Sequence, residues 1–222
     1  MKEGGEGILS STMEGIVWQP LLVLFFQQYL VMVPCFMGDV LESLTEEHMA
    51  WAMEQKVFFV STAPLSESGH VNCSPKASGC FLFPDHEHFV YADYTGSANE
   101  TIAHVTENGR ILIMFCSFEG PPRIMRLHGQ GRVILPGDAE FDAFRSQLSD
   151  HKGLRSFIEV TITRASVSCG FSVPLFDFVG HRETLDKWAD SKGAEELEDY
   201  RALKNSVSID GLPGFEQLRP KK

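Results

Sequence analysis

The stretch Tyr91-Ala-Asp-Tyr-Thr-Gly-Ser-Ala-Asn-Glu-Thr-Ile102 decides the reading of this chain. A strand ends, a glycine-containing loop turns, and a helix begins. Ser97-Ala98-Asn99-Glu100 fits a capping box, in which a hydroxyl and a carboxylate three residues apart satisfy each other's backbone donors. The helix is expected from about Ala98 to Glu107, stopped by Asn108-Gly109. A helix N-terminus presents unpaired N–H groups and the positive end of its dipole, which suits an anion such as phosphate. Thr95, Ser97, Asn99 and Thr101 add side-chain donors, and Lys76, just after Ser74-Pro75, offers a compensating charge. The bland reading stands beside this one: any strand-to-helix turn needs a cap.

Working outward, strands and turns dominate. Val57-Phe-Phe-Val-Ser-Thr is β-branched and aromatic, His70-Val-Asn-Cys-Ser alternates polar with apolar, and His88-Phe-Val-Tyr-Ala-Asp-Tyr reads as a third strand. Arg110 to Phe118, Arg123 to Leu135 with a kink at Gly129 or Gly131, and Ser156 to Ala165 add three more. Helices are expected from Thr45 to Gln55, after a cap at Asp138, near Glu183 to Ser191, and from Ala194 to Lys204. Six or so strands in hairpin-like order, with few helices between them, predict a mainly β (α+β) fold: a small antiparallel barrel with peripheral helices.

Composition narrows the function classes. The 222 residues carry a formal net charge of −11, and the Lys221-Lys222 tail is the only basic run. Nucleic acid is a poor partner for such a chain, because phosphate neutralisation needs clustered cations. The five cysteines, Cys35, Cys73, Cys80, Cys116 and Cys169, form no CxxC pair and no structural-zinc spacing. Free thiols in apolar surroundings favour a reducing compartment, and a cytoplasmic location is expected.

Residues 15–38 hold no charge and are long enough to cross a bilayer, which needs about 20 apolar residues. Three readings are open for residues 1–36: a membrane anchor, a signal peptide, or an extension from a start placed ahead of Met37. A signal peptide wants a positive flank, and Glu3, Glu6 and Glu14 outnumber Lys2 here. Gln19, Gln27 and Gln28 are costly in lipid, and Pro20 and Pro34 interrupt a helix. Membrane contact is expected only if residues 15–38 are a real anchor. Residues 37–222 are read as a self-sufficient domain.

His70-Val-Asn-Cys-Ser-Pro-Lys76 resembles the G-x-V-N-x-S-P-K-G segment of pyridoxamine 5′-phosphate oxidase-like proteins, with Ala77 where glycine is usual. Thr95 to His104, Arg110 to Phe115, Arg126-Leu-His-Gly129, Ser168 to Pro174 and Ser208 to Gly214 follow in the family's order. Each motif alone is weak; six in order are specific, and they cover about Met37 to Gly214. The resemblance implies an FMN-binding split β-barrel that forms a homodimer with FMN at the subunit interface. It would place Ser74 and Lys76 near the FMN phosphate or ribityl chain, Thr95, Ser97, Asn99 and Thr101 in the phosphate-binding segment, and Arg126 on the strand bordering the flavin. One departure matters: the oxidase has Ser-Arg-Lys at the helix start, and this chain has Asn99-Glu100-Thr101. Two cations are lost there, with Lys76 and Arg126 as the candidates to compensate. The oxidase's substrate segment bearing Arg and His is not recognisable, so pyridoxamine phosphate is a doubtful substrate.

The pair His86 and His88 reads as a polar turn rather than a metal site, and Gly129-Gln-Gly131 lacks the helix that a dinucleotide fingerprint requires. Cys169 has no assignable histidine partner, and Trp188 reads as a core or dimer contact. The expectation is an FMN-dependent oxidoreductase acting on an unknown small molecule, with a non-catalytic flavin-binding module as the alternative. No side chain is named as acid or base.

Overall fold

A computed structural model describes residues 39–219. The segment 15–38, the start at Met37 and the Lys221-Lys222 tail lie outside the described residues. In chain order the elements are β1 (Asp39–Leu41), α1 (Glu46–Glu54), β2 (Val57–Thr62), β3 (Asn72–Ala77), β4 (Phe81–Leu82), β5 (His88–Tyr94) and α2 (Glu100–Asn108). Then come β6 (Arg110–Cys116), β7 (Ile124–Ile134), α3 (Phe141–Leu148), β8 (Leu154–Ser168), α4 (Thr184–Asp190), α5 (Ala194–Lys204) and α6 (Phe215–Leu218).

All strand pairings are antiparallel, in the order β3-β2-β6-β7-β8-β5-β4, and β1 pairs with the late half of β8. The sheet curls until its two ends meet across the core. Phe58 on β2 lies 5.1 Å from Phe81 on β4 and 5.7 Å from Tyr91 on β5, ring to ring. Such edge-to-face aromatic packing adds about 0.5–1.5 kcal/mol per pair beyond burial itself. Phe58, Phe81, Phe89, Tyr91 and Phe115 form this centre, all essentially without solvent exposure. The fold is an antiparallel split β-barrel with peripheral helices, as expected from the sequence.

Alternation sets which side chains face inward. Phe58, Val60 and Thr62 are buried on β2, and their partners on β3 are Lys76, Ser74 and Asn72. On β7, Met125 and Leu127 point into the core, so Arg126 and His128 stand on the other face. β7 carries a register shift between His128 and Gly129, at the expected kink. Gly129 is required there, because a Cβ would run into the Thr161 carbonyl of β8.

α2 closes one side of the barrel with Ile102, Ala103 and Val105 buried. Burying an Ile or Val side chain stabilises by about 1.5–3 kcal/mol. Gly109 ends the helix at φ 72°, with its N–H donating to the Val105 carbonyl. Two expected caps are absent. The N-cap of α2 is Asn99, two residues after Ser97, and α3 starts at Phe141 after Glu140 rather than from Asp138. The Asp138 carboxylate instead accepts from the Leu135 N–H and closes the preceding turn. Where α1 was expected to be capped, Thr45 does so, exchanging hydrogen bonds with His48.

Candidate functional site

The turn from Thr95 to Asn99 is held from several directions. Thr95 is fully buried; its N–H donates to the Gly153 carbonyl at 2.7 Å, and its hydroxyl accepts from Arg201 Nε at 2.8 Å. The Gly96 carbonyl accepts from Asn205 Nδ2, and the Ala98 carbonyl accepts from Arg155 Nη2, both at 2.9 Å. Asn99 is 2% exposed, and its Oδ1 accepts from the Phe215 N–H. Glu100 turns its carboxylate back, taking Oε2 to the Asn99 N–H at 2.9 Å and Oε1 to the Ile209 N–H at 3.3 Å. Thr101 accepts from Asn72 Nδ2 at 3.0 Å. Of the four donors expected here, only Ser97 is exposed.

Lys76 faces inward from β3 and reaches across the seam to β5. Its Nζ lies 3.4 Å from Asp93 Oδ1 and over the Tyr91 ring. Asp93 is the hub of this seam. Its other oxygen receives Arg155 Nε at 2.6 Å and the Ser156 hydroxyl at 3.2 Å. Burial pushes the Asp93 carboxyl up, but Arg155 and Lys76 outweigh it and the net shift is downward. Ser74 sits beside this network, donating to Asn72 Oδ1 at 3.0 Å.

Cations gather under the turn. Burial, then the charges of Arg219 and Arg155, lower the pKa of Arg201. Asn99 Nδ2 and Arg155 Nη1 are buried donors without an acceptor among the described residues. Arg155 and Arg201 were missed by the sequence reading. One signal was available: Asp93 falls in phase with buried Phe89 and Tyr91, and a buried carboxylate demands a cation.

Arg126 does not join this group. It stands on the outward face of β7 and donates from Nη1 to the Ser168 hydroxyl at 2.9 Å. Its neighbours there include His128, whose pKa is lowered by partial burial and by Arg164 and Arg126. The seven expected residues therefore divide: Ser74 and Lys76 on the inward side of β3, Thr95, Asn99 and Thr101 buried at the turn with Ser97 exposed, and Arg126 on the opposite face of the sheet.

An open cavity of about 680 Å³ lies at the other end of β3, where Ala77 pairs with Val57. Its walls include Lys56, Cys116, Phe118, Glu119, Phe176 and Phe178. Phe118 and Phe176 stack at 5.3 Å, and Lys56 Nζ lies 5.8 Å from the Phe178 ring centre. The strap carrying Phe176 and Phe178 is tied down by three hydrogen bonds: Phe176 N–H to the Phe118 carbonyl, Phe178 N–H to Glu119, and His181 with Ser78. Ligand cavities commonly span ~300–1,000 Å³ with mainly apolar, aromatic walls, and this one lies within that range.

A phosphoryl group at the start of α2 would need open donors and a free positive end. The Thr95 and Thr101 hydroxyls and Asn99 Oδ1 accept from the chain itself, and the Glu100 carboxylate accepts from the Asn99 N–H, so these bonds fill acceptors and leave the side-chain donors. Asn99 Nδ2 and Arg155 Nη1 remain unpaired donors beside the turn, a set whose chemistry suits an anion.

Among the described residues, no group of three or more His, Cys, Asp or Glu side chains is arranged to hold a metal, and no helix is long and apolar enough to cross a membrane. His88 pairs with Asp85, and His86 bonds the Leu44 carbonyl. Trp188 packs against Tyr200 at 5.0 Å. Cys73, Cys80, Cys116 and Cys169 are free thiols.

Comparison with known proteins completes the picture. Residues 44–169 match the family model described as pyridoxamine 5′-phosphate oxidase. The chain is 40% identical over 191 residues to the pyridoxamine 5′-phosphate oxidase family protein ustO of Aspergillus flavus, covering 78% of this chain and 76% of that protein. Among solved structures, HupZ of Group A Streptococcus is 21% identical with a TM-score of 0.45, covering 55% of this chain and 91% of that one. An FMN-binding protein from Syntrophomonas wolfei is 16% identical with a TM-score of 0.41, covering 53% and 79%. Both structural likenesses are loose, and neither bears on what this chain binds. The family match spans more than half of the chain, and the relative is matched over more than two thirds of both chains: the chain belongs to the pyridoxamine 5′-phosphate oxidase family.

Proposed function

We propose that this protein is a flavin-dependent oxidoreductase acting on a small molecule, with FMN as the flavin that the family motifs imply. Family membership across the barrel carries the reading. The aromatic cavity beside the end of β3, with Lys56 on its wall, supplies a place of suitable size and chemistry for a planar ring. The flavin would carry the electrons, while the protein supplies position and electrostatics.

The reading includes a homodimer with the flavin at the subunit interface. Lys76 and Arg126 stand on opposite faces of the sheet, so a single copy does not bring them to one ligand. A second copy presenting its outward face would. Light scattering on the eluting protein should give twice the chain mass; a monomer that still binds flavin would remove Arg126 from the site.

The test of the flavin itself is spectroscopic. Flavin added to the purified protein should show saturable changes in its visible absorption bands and raise the thermal midpoint. No spectral change and no gain in stability would refute the reading. A second reading, a flavin-binding module without catalysis, is favoured by Asn99-Glu100-Thr101 standing where the oxidase carries two cations. Rapid reduction of the bound flavin by a nicotinamide or another donor would count against it.

A further inference from the structure

We infer that the outward face of β7 and β8 carries a binding site for a small oxyanion, a phosphate or a carboxylate, held by Arg126 and Arg164 with His128 and two serine hydroxyls beside them. The site is complete within one copy of the chain and does not rest on the flavin reading. In the homodimer proposed above, where a second copy presents this face, the anion would lie at the boundary of the two copies.

Strand register brings these residues together. On β7, Arg126 lies between Met114 of β6 and Ser166 of β8, and His128 lies between Leu112 and Arg164. Directly opposed residues share a face, and diagonal neighbours on adjacent strands stand about 7–8 Å apart, within reach of long side chains. Arg126 and Arg164 are such a diagonal pair, so two guanidinium groups and an imidazole share one patch. None of these cross-strand neighbours is a carboxylate. The chain carries 30 Asp and Glu against 19 Lys and Arg, so a cationic patch without acids runs against its composition.

A third arginine on β7 shows the ordinary arrangement. Arg132 pairs with Glu159 and, at 2.9 Å, with Glu140. Arg126 and Arg164 instead meet hydroxyls. Arg126 Nη1 donates to Ser168 Oγ at 2.9 Å, and Arg164 Nη1 donates to Ser166 Oγ at 3.4 Å. Among the described residues neither guanidinium pairs with a carboxylate, and their remaining N–H groups meet no acceptor. A serine oxygen that accepts from an arginine keeps its own proton to donate. The patch therefore offers donors and positive charge with nothing in the chain to receive them.

The electrostatics agree with this geometry. Partial burial lowers the pKa of His128, Arg164 and Arg126 lower it further, and no acidic group acts on it in the opposite direction. Like charges at opposed positions destabilise a sheet, and a bound oxyanion would offset that cost. The planar forks of two arginines match the oxygen geometry of a phosphate or a carboxylate.

Inorganic phosphate added to the full chain is the first probe. It should raise the thermal midpoint of the wild type saturably at millimolar concentration, above chloride at matched ionic strength. Arg126→Gln and Arg164→Gln should each weaken this binding by about tenfold, whereas Arg132→Gln, which removes the same charge from the same strand, should leave it within about twofold. Arg164 is exposed, so its variant decides the matter even where Arg126→Gln fails to fold. Proton NMR of the His128 ring, assigned by its loss in His128→Gln, should show the imidazole gaining charge as phosphate is added at constant pH. No phosphate-specific rise in the wild type, or equal binding by Arg164→Gln and Arg132→Gln, would overturn the inference. Titration with FMN and with riboflavin, which differ only in the phosphate, identifies the source of the oxyanion. Weaker binding of FMN alone by Arg164→Gln would assign the site to the flavin's own phosphate. Unchanged binding of both flavins, with the phosphate response lost, would assign it to a separate anionic ligand. If neither flavin binds, the flavin reading falls, and the phosphate result still decides the inference.

Discussion

The two ends of β3 differ in almost every physical respect. At its start, Asn72 hydrogen-bonds Thr62 and Thr101, and the turn beside it is polar, buried and tied by side chains from residues 155, 201 and 205. At its finish, Ala77 pairs with Val57 beside an open aromatic cavity. The strap over that cavity leaves Leu175 76% and Val179 99% exposed. A polar junction stripped of water must satisfy its acceptors within the protein, and this one does so mostly with donors from the chain's own late segment. An apolar surface left open has no such demand and retains the capacity to bind. The lesson is that the sequence motif for anion binding marks the closed end, whereas the space for a ligand lies at the open one.

The comparison can be broken most forcefully at Asp93. Replacing it with Ala leaves Arg155 and Lys76 facing each other across a buried gap. Removing one partner of a buried ion pair costs about 3–5 kcal/mol, which urea denaturation would read. Acid makes the same change reversibly. Because the folded pKa of Asp93 is below its usual value, its contribution is complete above the ordinary carboxylate range and is lost as pH falls through the depressed value. The wild type should therefore lose more stability than Asp93→Asn on acidification below about pH 4. Equal acid sensitivity of the two would show that the seam does not depend on this charge.

Phenylalanine truncations at the two ends sharpen the contrast. Phe215→Ala at the closed end should cost about 3–5 kcal/mol, since it empties a fully buried site. Phe178→Ala at the open end, where the side chain is 42% exposed, should cost less than about 1.5 kcal/mol while weakening ring binding. Similar costs would mean that the strap is as firmly packed as the cover. Gly214→Ala should cost about 1–3 kcal/mol through its collision with the Asn99 amide.

The smallest effect expected is chemical. Burial pushes the Cys80 thiol up to about 11, whereas Cys73 stands exposed on β3. At mildly alkaline pH, iodoacetamide followed by peptide mapping should find Cys73 modified and Cys80 spared, with little loss of stability. Rapid labelling of Cys80 would show that the β4 edge of the barrel opens.

Local chemistry made much of the barrel readable from sequence. β2 and β5 fall on the residues where alternation and β-branched or aromatic content put them, and α5 runs from Ala194 to Lys204 as expected. β1 and β4 were missed because three and two residues carry no period; they exist through pairing with β8 and β5. The start of α2 was misplaced for a related reason. Ser97 has the right neighbours for a capping box, but Arg155 and Asn205 hold Ala98 and Gly96 from far along the chain and delay the helix to Glu100. The site suffered most from this. Ser74, Lys76, Thr95 and Asn99 were legible as a motif, yet their partners Asp93, Arg155, Arg201 and Phe215 come together only through the barrel's closure and the return of the C-terminal segment.

Amide hydrogen exchange across the two ends of β3 tests the account most directly. Residues 95–102 should exchange slowly, in step with 205–216 and with the barrel strands, while 171–180 exchanges in the earliest time points. Exchange at 95–102 as fast as in the strap, or slowed only when phosphate is added, would contradict it.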